Sequence, residues 1–188
     1  GDEPIRFYQV KQAQIDGYNL KRIDTSMHMG THMDAPRHVL NHGKSVEAVD
    51  VNRLIGKAEV IRPTVFKNVI QTDSIQDAYR NQAKILILDL KWDGKSHEEY
   101  YKQPKFQTSI IRFLKEHDIQ VIGFDIPSPE YETGDFLEMH RHLLQEGILI
   151  IENLVHLGEL DSVVEFIALP LKLRGLDGSL LRCVARNL

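Results

Sequence analysis

Three histidines and one carboxylate fall within the eleven residues His28-Met29-Gly30-Thr31-His32-Met33-Asp34-Ala35-Pro36-Arg37-His38. Imidazole and carboxylate are the donors that borderline divalent metals such as zinc take. Gly30, Pro36 and β-branched Thr31 argue against a helix through this segment. In an extended chain, positions 28, 30, 32 and 34 project from one face. His28, His32 and Asp34 then converge, with Gly30 leaving space between them. Structural zinc sites are closed and often thiolate-rich, and the only cysteine, Cys183, is remote in sequence. The cluster therefore reads as a metal site for chemistry.

Two further residues fit the same centre. In the helix expected over 135–146, Phe136, Met139, Leu143 and Leu144 mark an inward face, and His140 lies on it. His142 is turned about 200° away, at ~100° per residue, and should face solvent. Glu152 ends the apolar strand expected over 148–152 and shares a face with Ile148 and Ile150. Buried α/β strands place functional groups at that end, and a buried carboxylate needs a cationic partner. Taken singly, His140 reads as a hydrogen-bonded core histidine and Glu152 as a solvated edge or salt-bridge member. Beside the 28–38 cluster, both read as metal ligands.

The elements that must position these side chains are short. Extended pieces are expected over 5–10, 18–27 and 58–62, the last after a Leu54-Ile55-Gly56 break. Helices and compact apolar strands then alternate. A helix capped by Thr72 runs through Tyr79, followed by a strand over 85–89. A helix with Ile110, Ile111, Phe113 and Leu114, capped by Thr108 or Ser109, precedes a strand over 121–125. The helix over 135–146 stops at Gly147 before the strand over 148–152. Strands over 164–169 and 180–185 follow, joined through the Gly175-Leu176-Asp177-Gly178 turn. This alternation indicates an α/β fold. Residues 91–105, with Trp92, His97, Tyr100, Tyr101 and Pro104, form a long loop that either borders a pocket or is an exposed insertion.

A chain of 188 residues is expected to form one domain over 1–188. A net charge of −4 and a pI near 6.1 give no reason to expect nucleic acid or an anionic membrane. No apolar run reaches the ~18 residues of a membrane span, and no secretory leader is visible. One cysteine permits no intramolecular disulfide. A cytoplasmic protein is expected. The opening Gly1-Asp2-Glu3-Pro4 lacks a methionine and reads as a start inside a longer chain.

These residues resemble the cyclase/kynurenine formamidase family of metal-dependent hydrolases, whose hallmark is His-x-Gly-Thr-His-x-Asp-x-Pro-x-His. Its fixed positions are matched by His28, Gly30, Thr31, His32, Asp34, Pro36 and His38. The likeness continues through Gly123-Phe124-Asp125-Ile126-Pro127-Ser128, His140, Glu152-Asn153-Leu154, residues 167–173 and Gly175-Leu176-Asp177-Gly178-Ser179. The resemblance implies that His28, His32 and Asp34 hold one metal. Asp34 would bridge to a second held by His140 and Glu152, and His38 would be a catalytic proton shuttle rather than a ligand. The implied cofactor is zinc, two ions per subunit, or manganese. The implied fold is a cyclase-like β/β/α architecture with a small barrel-like mixed sheet flanked by helices, assembled as a homodimer or homotetramer. Family members start with a strand and a Pro-Gly-Asp turn, often bearing an aromatic that contacts substrate. The chain begins at what matches the Gly-Asp, so that N-terminal strand is expected to be missing. Pro129-Glu130-Tyr131-Glu132 also departs from the formamidase pattern.

Two ions, two carboxylates and three neutral imidazoles would leave a centre of about +2. Such a centre brings water to a pKa of ~7, and the resulting hydroxide would attack an amide carbonyl. His38 would protonate the leaving nitrogen. The implied substrate is a small aryl formamide such as N-formylkynurenine, cleaved to kynurenine and formate in tryptophan catabolism. A second enzyme reading is a cyclic amide or other small carbonyl compound, as in isatin hydrolases. The non-enzyme reading is a metal-stabilised binding protein. Thr31 is expected to hydrogen-bond within the ligand loop, to a carboxylate, and Asp125 to support the site without ligating. His42, His97, His117 and His156 are expected at surface or structural positions, and Cys183 in the core.

Overall fold

The computed structural model describes residues 4–188, the side chain of His97 excepted. Gly1-Asp2, the expected remnant of the N-terminal turn, falls outside them. The first part of the chain contains β1 (Arg6–Lys11), α1 (Ala13–Asp16), β2 (Leu20–Asp24), β3 (His32–Asp34) and β4 (Ile55–Ile61). Next come β5 (Val65–Phe66), β6 (Val69–Ile70), α2 (Thr72–Ala78), β7 (Ile85–Leu88), α3 (His97–Tyr100) and β8 (Lys105–Phe106). The remainder is α4 (Ile110–Glu116), β9 (Val121–Phe124), α5 (Glu138–Gln145), β10 (Leu149–Glu152), β11 (Val163–Ile167), β12 (Gly178–Leu180) and β13 (Val184–Asn187).

The main sheet has eight strands in the order β12-β3-β10-β9-β7-β4-β11-β13. Its centre, β10-β9-β7-β4, is parallel, and both flanks pair antiparallel. Strands β7, β9 and β10 are buried throughout, as parallel strands covered on both faces must be. Period-two alternation divides their side chains between two cores. Leu86, Leu88, Ile122, Phe124 and Ile150 pack with Ile75, Ile110, Phe113, Met139, Leu143 and Leu144 from the helical segments. Ile85, Ile87, Val121, Leu149 and Ile151 face the other way, against Met33, Val164 and Phe166. The sheet is therefore mixed and flanked by helices on one face, the α/β architecture expected.

The barrel-like curvature follows from the topology. Strands β12 and β13 stand at opposite ends of the order, yet only Leu181-Arg182-Cys183 separates them. Eight flat strands at ~4.8 Å spacing would put the edges ~34 Å apart. Three linking residues reach at most about 14 Å. The sheet must curl until its edges approach, enclosing the second core. The strand expected over 180–185 is therefore two strands, interrupted where Leu181 donates to the Thr31 carbonyl at 2.9 Å before the chain crosses to the far edge.

Other expectations need smaller corrections. Thr72 begins α2 but does not cap it: Gln107 Oε1 accepts its N–H at 2.9 Å, and its hydroxyl accepts from Ser109 Oγ, also at 2.9 Å. The Ser109 hydroxyl is thereby diverted from capping α4. Helix α5 starts at Glu138, after Leu137 in the left-handed region at φ 60°. Phe136 is consequently 74% exposed rather than part of an inward face. Among the described residues, no helix is long and apolar enough to cross a membrane.

Candidate metal centre

Register brings the first candidate donors together. Strand β3 pairs antiparallel with β10, setting Asp34 opposite Ile150 and His32 opposite Glu152. Directly paired residues share a face, so His32, Asp34 and Glu152 point to the helix-covered side while Met33 enters the second core. Helix α5 packs over β10 and presents His140 inward. All four side chains are buried.

The extended reading holds only for residues 32–34. His28 lies in a turn, and Gly30 has φ 62°. A Cβ at Gly30 would meet nothing within 4 Å, so glycine is needed there for its backbone conformation and not to leave room. That turn aims the Gly30 carbonyl at His32 Nδ1, which donates to it at 2.8 Å. His32 Nε2 is then the free ring nitrogen facing Asp34 Oδ1 at 3.3 Å and Glu152 Oε2 at 3.2 Å. His28 Nδ1 lies 2.9 Å from Asp34 Oδ1. His140 Nε2 lies 2.9 Å from Glu152 Oε1 and 3.5 Å from Asp34 Oδ2.

These donors form two triads that share Asp34, namely His28-His32-Asp34 and Asp34-His140-Glu152, with ligand atoms within 4.8 Å of one another in each. Among the described residues, every ion partner of Asp34 and Glu152 is a histidine. Two atoms of the set, Asp34 Oδ2 and His140 Nδ1, are buried without a hydrogen-bond partner. A buried carboxylate oxygen left unpaired is costly, and a divalent cation between the triads would answer it. The donor set of imidazole and carboxylate suits zinc or manganese.

The protein's own charges record the same frustration. Burial disfavours a cation at His32, yet Asp34 and Glu152 push its pKa up to about 10. His28 is raised too, because Asp34 and Asp177 outweigh its burial. Burial works against charge on Asp34, but bonds from His28 and His32 hold it well below the usual carboxylate range.

His38 stands beside this set, its ring 4.1 Å from that of His28 and 5.9 Å from that of His140. Its ion partner is Asp177, at 3.5 Å from Nδ1; it belongs to neither triad built on Asp34, but with His28 and Asp177 it forms a third group of the same spacing. Burial, with the neighbouring His28 and His140, lowers its pKa. A neutral imidazole at the edge of the centre can accept a proton and return it.

Asp177 was placed by the sequence in a turn and in the stretch of family likeness, without a role at the site. Its Oδ2 lies 3.1 Å from His28 Nε2 as well as near His38. A carboxylate accepting the outer ring N–H fixes the tautomer and aim of a ligating histidine. Asn153 was missed too. Its side chain donates to the Gly30 carbonyl at 3.2 Å and accepts from the Tyr100 hydroxyl. Thr31 bonds the Asn153 backbone carbonyl at 2.5 Å rather than a carboxylate. The cues to Asp177 were an Asp-Gly pair and its place in the family likeness over Gly175-Leu176-Asp177-Gly178-Ser179. Gly178 is required because a Cβ there would lie 2.7 Å from His28 Cε1.

Asp125 accepts the N–H groups of Leu90 and Trp92 at 3.0 and 2.7 Å, anchoring the start of the 91–105 loop. That loop contributes Tyr100, Tyr101, Gln103 and Lys105 to a cavity of about 620 Å³ opening onto the centre. The pocket-bordering alternative is the correct one. His142 is exposed, as expected, and bonds the Tyr131 hydroxyl at 2.9 Å. His42 and His156 are exposed, and His117 Nδ1 bonds the Phe113 carbonyl at 2.9 Å. Cys183 is half-buried against the second core, and burial pushes its thiol up to about 12.

Residues 3–131 match the Cyclase family model, described as "Putative cyclase". The chain is 33% identical over 187 residues to kynurenine formamidase of Bacillus mycoides (strain KBAB4), covering 99% of this chain and 89% of that one. Isatin hydrolase A from Labrenzia aggregata, solved with benzyl benzoate, superposes with a TM-score of 0.84 at 22% identity, over 98% of this chain and 84% of that one. A structure titled "Potential Metal-Dependent Hydrolase With Cyclase Activity" gives 0.78 at 23% identity, over 96% and 86%. At those identities the two structures speak to the fold alone. The family model and the formamidase together establish that the chain belongs to the Cyclase family.

Proposed function

We propose that the protein is a metal-dependent amidohydrolase of the Cyclase family, acting on C–N bonds other than peptide bonds, with an aryl formamide such as N-formylkynurenine as substrate. The observation that carries this reading is the pair of donor triads sharing Asp34, with neutral-leaning His38 outside both and a cavity alongside. Likeness to a formamidase over nearly the whole chain supports the substrate class.

His28, His32 and Asp34 would hold one ion and Asp34, His140 and Glu152 a second, zinc or manganese. When bound, such ions lower the pKa of water and supply positive charge for a developing oxyanion. His38 takes a proton from the attacking water and delivers it to the leaving nitrogen. Asp177 Oδ2, 3.5 Å from His38 Nδ1, leaves Nε2 as the working nitrogen. Gly30, Thr31 and Asn153 hold the ligand turn, so the donors are in place before substrate arrives.

Metal analysis of the purified protein, then assays with N-formylkynurenine and with isatin after zinc or manganese loading, tests the reading. Metal-restored formamide hydrolysis is the expected result. Isatin hydrolysis without formamidase activity would replace the substrate, and metal loading with neither activity would leave a binding protein.

A further inference from the structure

Away from the metal centre, the cavity wall carries a second polar group. Lys105 on β8 and Glu130 form an ion pair, and both line the cavity. They are the charged members of the described lining outside the histidine and carboxylate cluster. The pair is held by backbone, since Phe106 N–H donates to the Glu130 carbonyl at 2.7 Å and Glu132 N–H to the Phe106 carbonyl at 2.8 Å. Between Lys105 and the loop's tyrosines lies Gln103, only 4% exposed. Its Nε2 donates to the Ser128 carbonyl at 3.2 Å, which fixes the amide's orientation, and its Oε1 is buried with no partner. Lys105 and Glu130 thus put one cation and one anion on the cavity wall, with the orphaned Gln103 acceptor buried in the same lining.

A neutral ligand such as a cyclic amide can hydrogen-bond these groups but brings no charge to pair with either ion. A ligand carrying an ammonium and a carboxylate on one carbon uses all three. We propose that Lys105, Glu130 and Gln103 form a subsite for the zwitterionic head of an α-amino acid whose aryl formamide reaches the metal centre. Lys105 meets the carboxylate, while Glu130 and Gln103 Oε1 accept from the ammonium. Partial burial lowers the Lys105 pKa, the direction expected of an ammonium short of water, so a ligand carboxylate adds to what Glu130 supplies. The inference rests on the formamidase reading of the neighbouring centre, but it can fail separately.

The test is binding of matched ligands to the metal-loaded protein by calorimetry. The ligands are kynurenine and 2′-aminoacetophenone, which keeps the aryl ketone and lacks the amino-acid head. Kynurenine should bind roughly 10–100-fold more tightly, the range for charge-assisted hydrogen bonds. Lys105→Met and Glu130→Gln should each remove most of that advantage and leave 2′-aminoacetophenone binding unchanged. Equal affinity for the two ligands in the wild-type protein, or no binding of either, overturns the subsite and needs no variant that must fold. The formyl derivatives of both ligands, assayed for turnover, separate the two ideas. Equal kcat/KM for both leaves the formamidase reading standing without the subsite. Turnover of neither, with kynurenine still preferred in binding, removes the formamidase reading and keeps the amino-acid site.

Discussion

Gly178→Ala makes a one-carbon test of the centre's geometry. Gly178 is not in the left-handed region, so its backbone accepts alanine and the effect is steric. The added Cβ would stand 2.7 Å from His28 Cε1, 3.0 Å from His28 Nε2 and 3.0 Å from the Met33 carbonyl oxygen. Carbon atoms pack best at about 3.5–4.0 Å, so the shortest contact must open by about 1 Å. The Met33 carbonyl belongs to β3, paired with β12 through Ser179, and cannot yield readily. The His28 ring must move instead, and a shift of ~1 Å breaks its 2.9 Å and 3.1 Å contacts with Asp34 and Asp177. We expect zinc affinity to fall roughly 10–100-fold, as when partners that aim a ligand are lost. Turnover at saturating zinc should fall about 100-fold, the effect of a misplacement near 1 Å. Competition with a chromophoric chelator measures the first and steady-state kinetics the second. Overpacking should also cost about 1–3 kcal/mol of metal-free stability. In a His28→Ala background most of that cost should vanish, because the atom being struck is gone. Zinc affinity within twofold of wild type, or a stability cost equal in both backgrounds, would refute this account of Gly178.

Four shorter tests follow from the same geometry. His38→Ala should lower kcat by roughly 10²–10⁴-fold with zinc stoichiometry intact, whereas loss of metal would make His38 a ligand. Asp177→Asn presents an N–H where a carboxylate oxygen accepted, and should cost roughly 10–100-fold in metal affinity or activity; wild-type values for both would remove Asp177 from the site. Chelation should lower Tm, because zinc at about 1,000 times its Kd contributes ~4 kcal/mol, equivalent to ~8–16 °C at this size; unchanged melting would show that no ion bridges the triads. The raised Cys183 pKa of about 12 means that its thiolate is present only as pH approaches that value. Alkylation in the native state at pH 8 should therefore run about 10³-fold slower than in the unfolded chain, and equal rates would show an exposed thiol.

The candidate donors were legible because local periodicity decides which side chains share a face. His32 and Asp34 stand two apart on a strand, and His140 belongs to a helical stripe with Met139, Leu143 and Leu144. Both patterns survive whatever the chain does elsewhere. The apolar runs of β7, β9 and β10 likewise announced a buried parallel sheet. Where residues left these periods, the reading faltered. The turn that delivers His28 depends on one positive φ at Gly30, and helix α5 begins two residues beyond Phe136. The break between β12 and β13 exists only because an eight-stranded sheet curls until its edges can be bridged. Pairing of β12 with β3 carries Asp177 to His28 across 149 residues of sequence and presses Gly178 against the same ring. Spacing along the chain thus fixed the donors and the faces they occupy. Their convergence, and the carboxylate that aims them, was decided by burial of the two cores, a long-range balance that no local window contains.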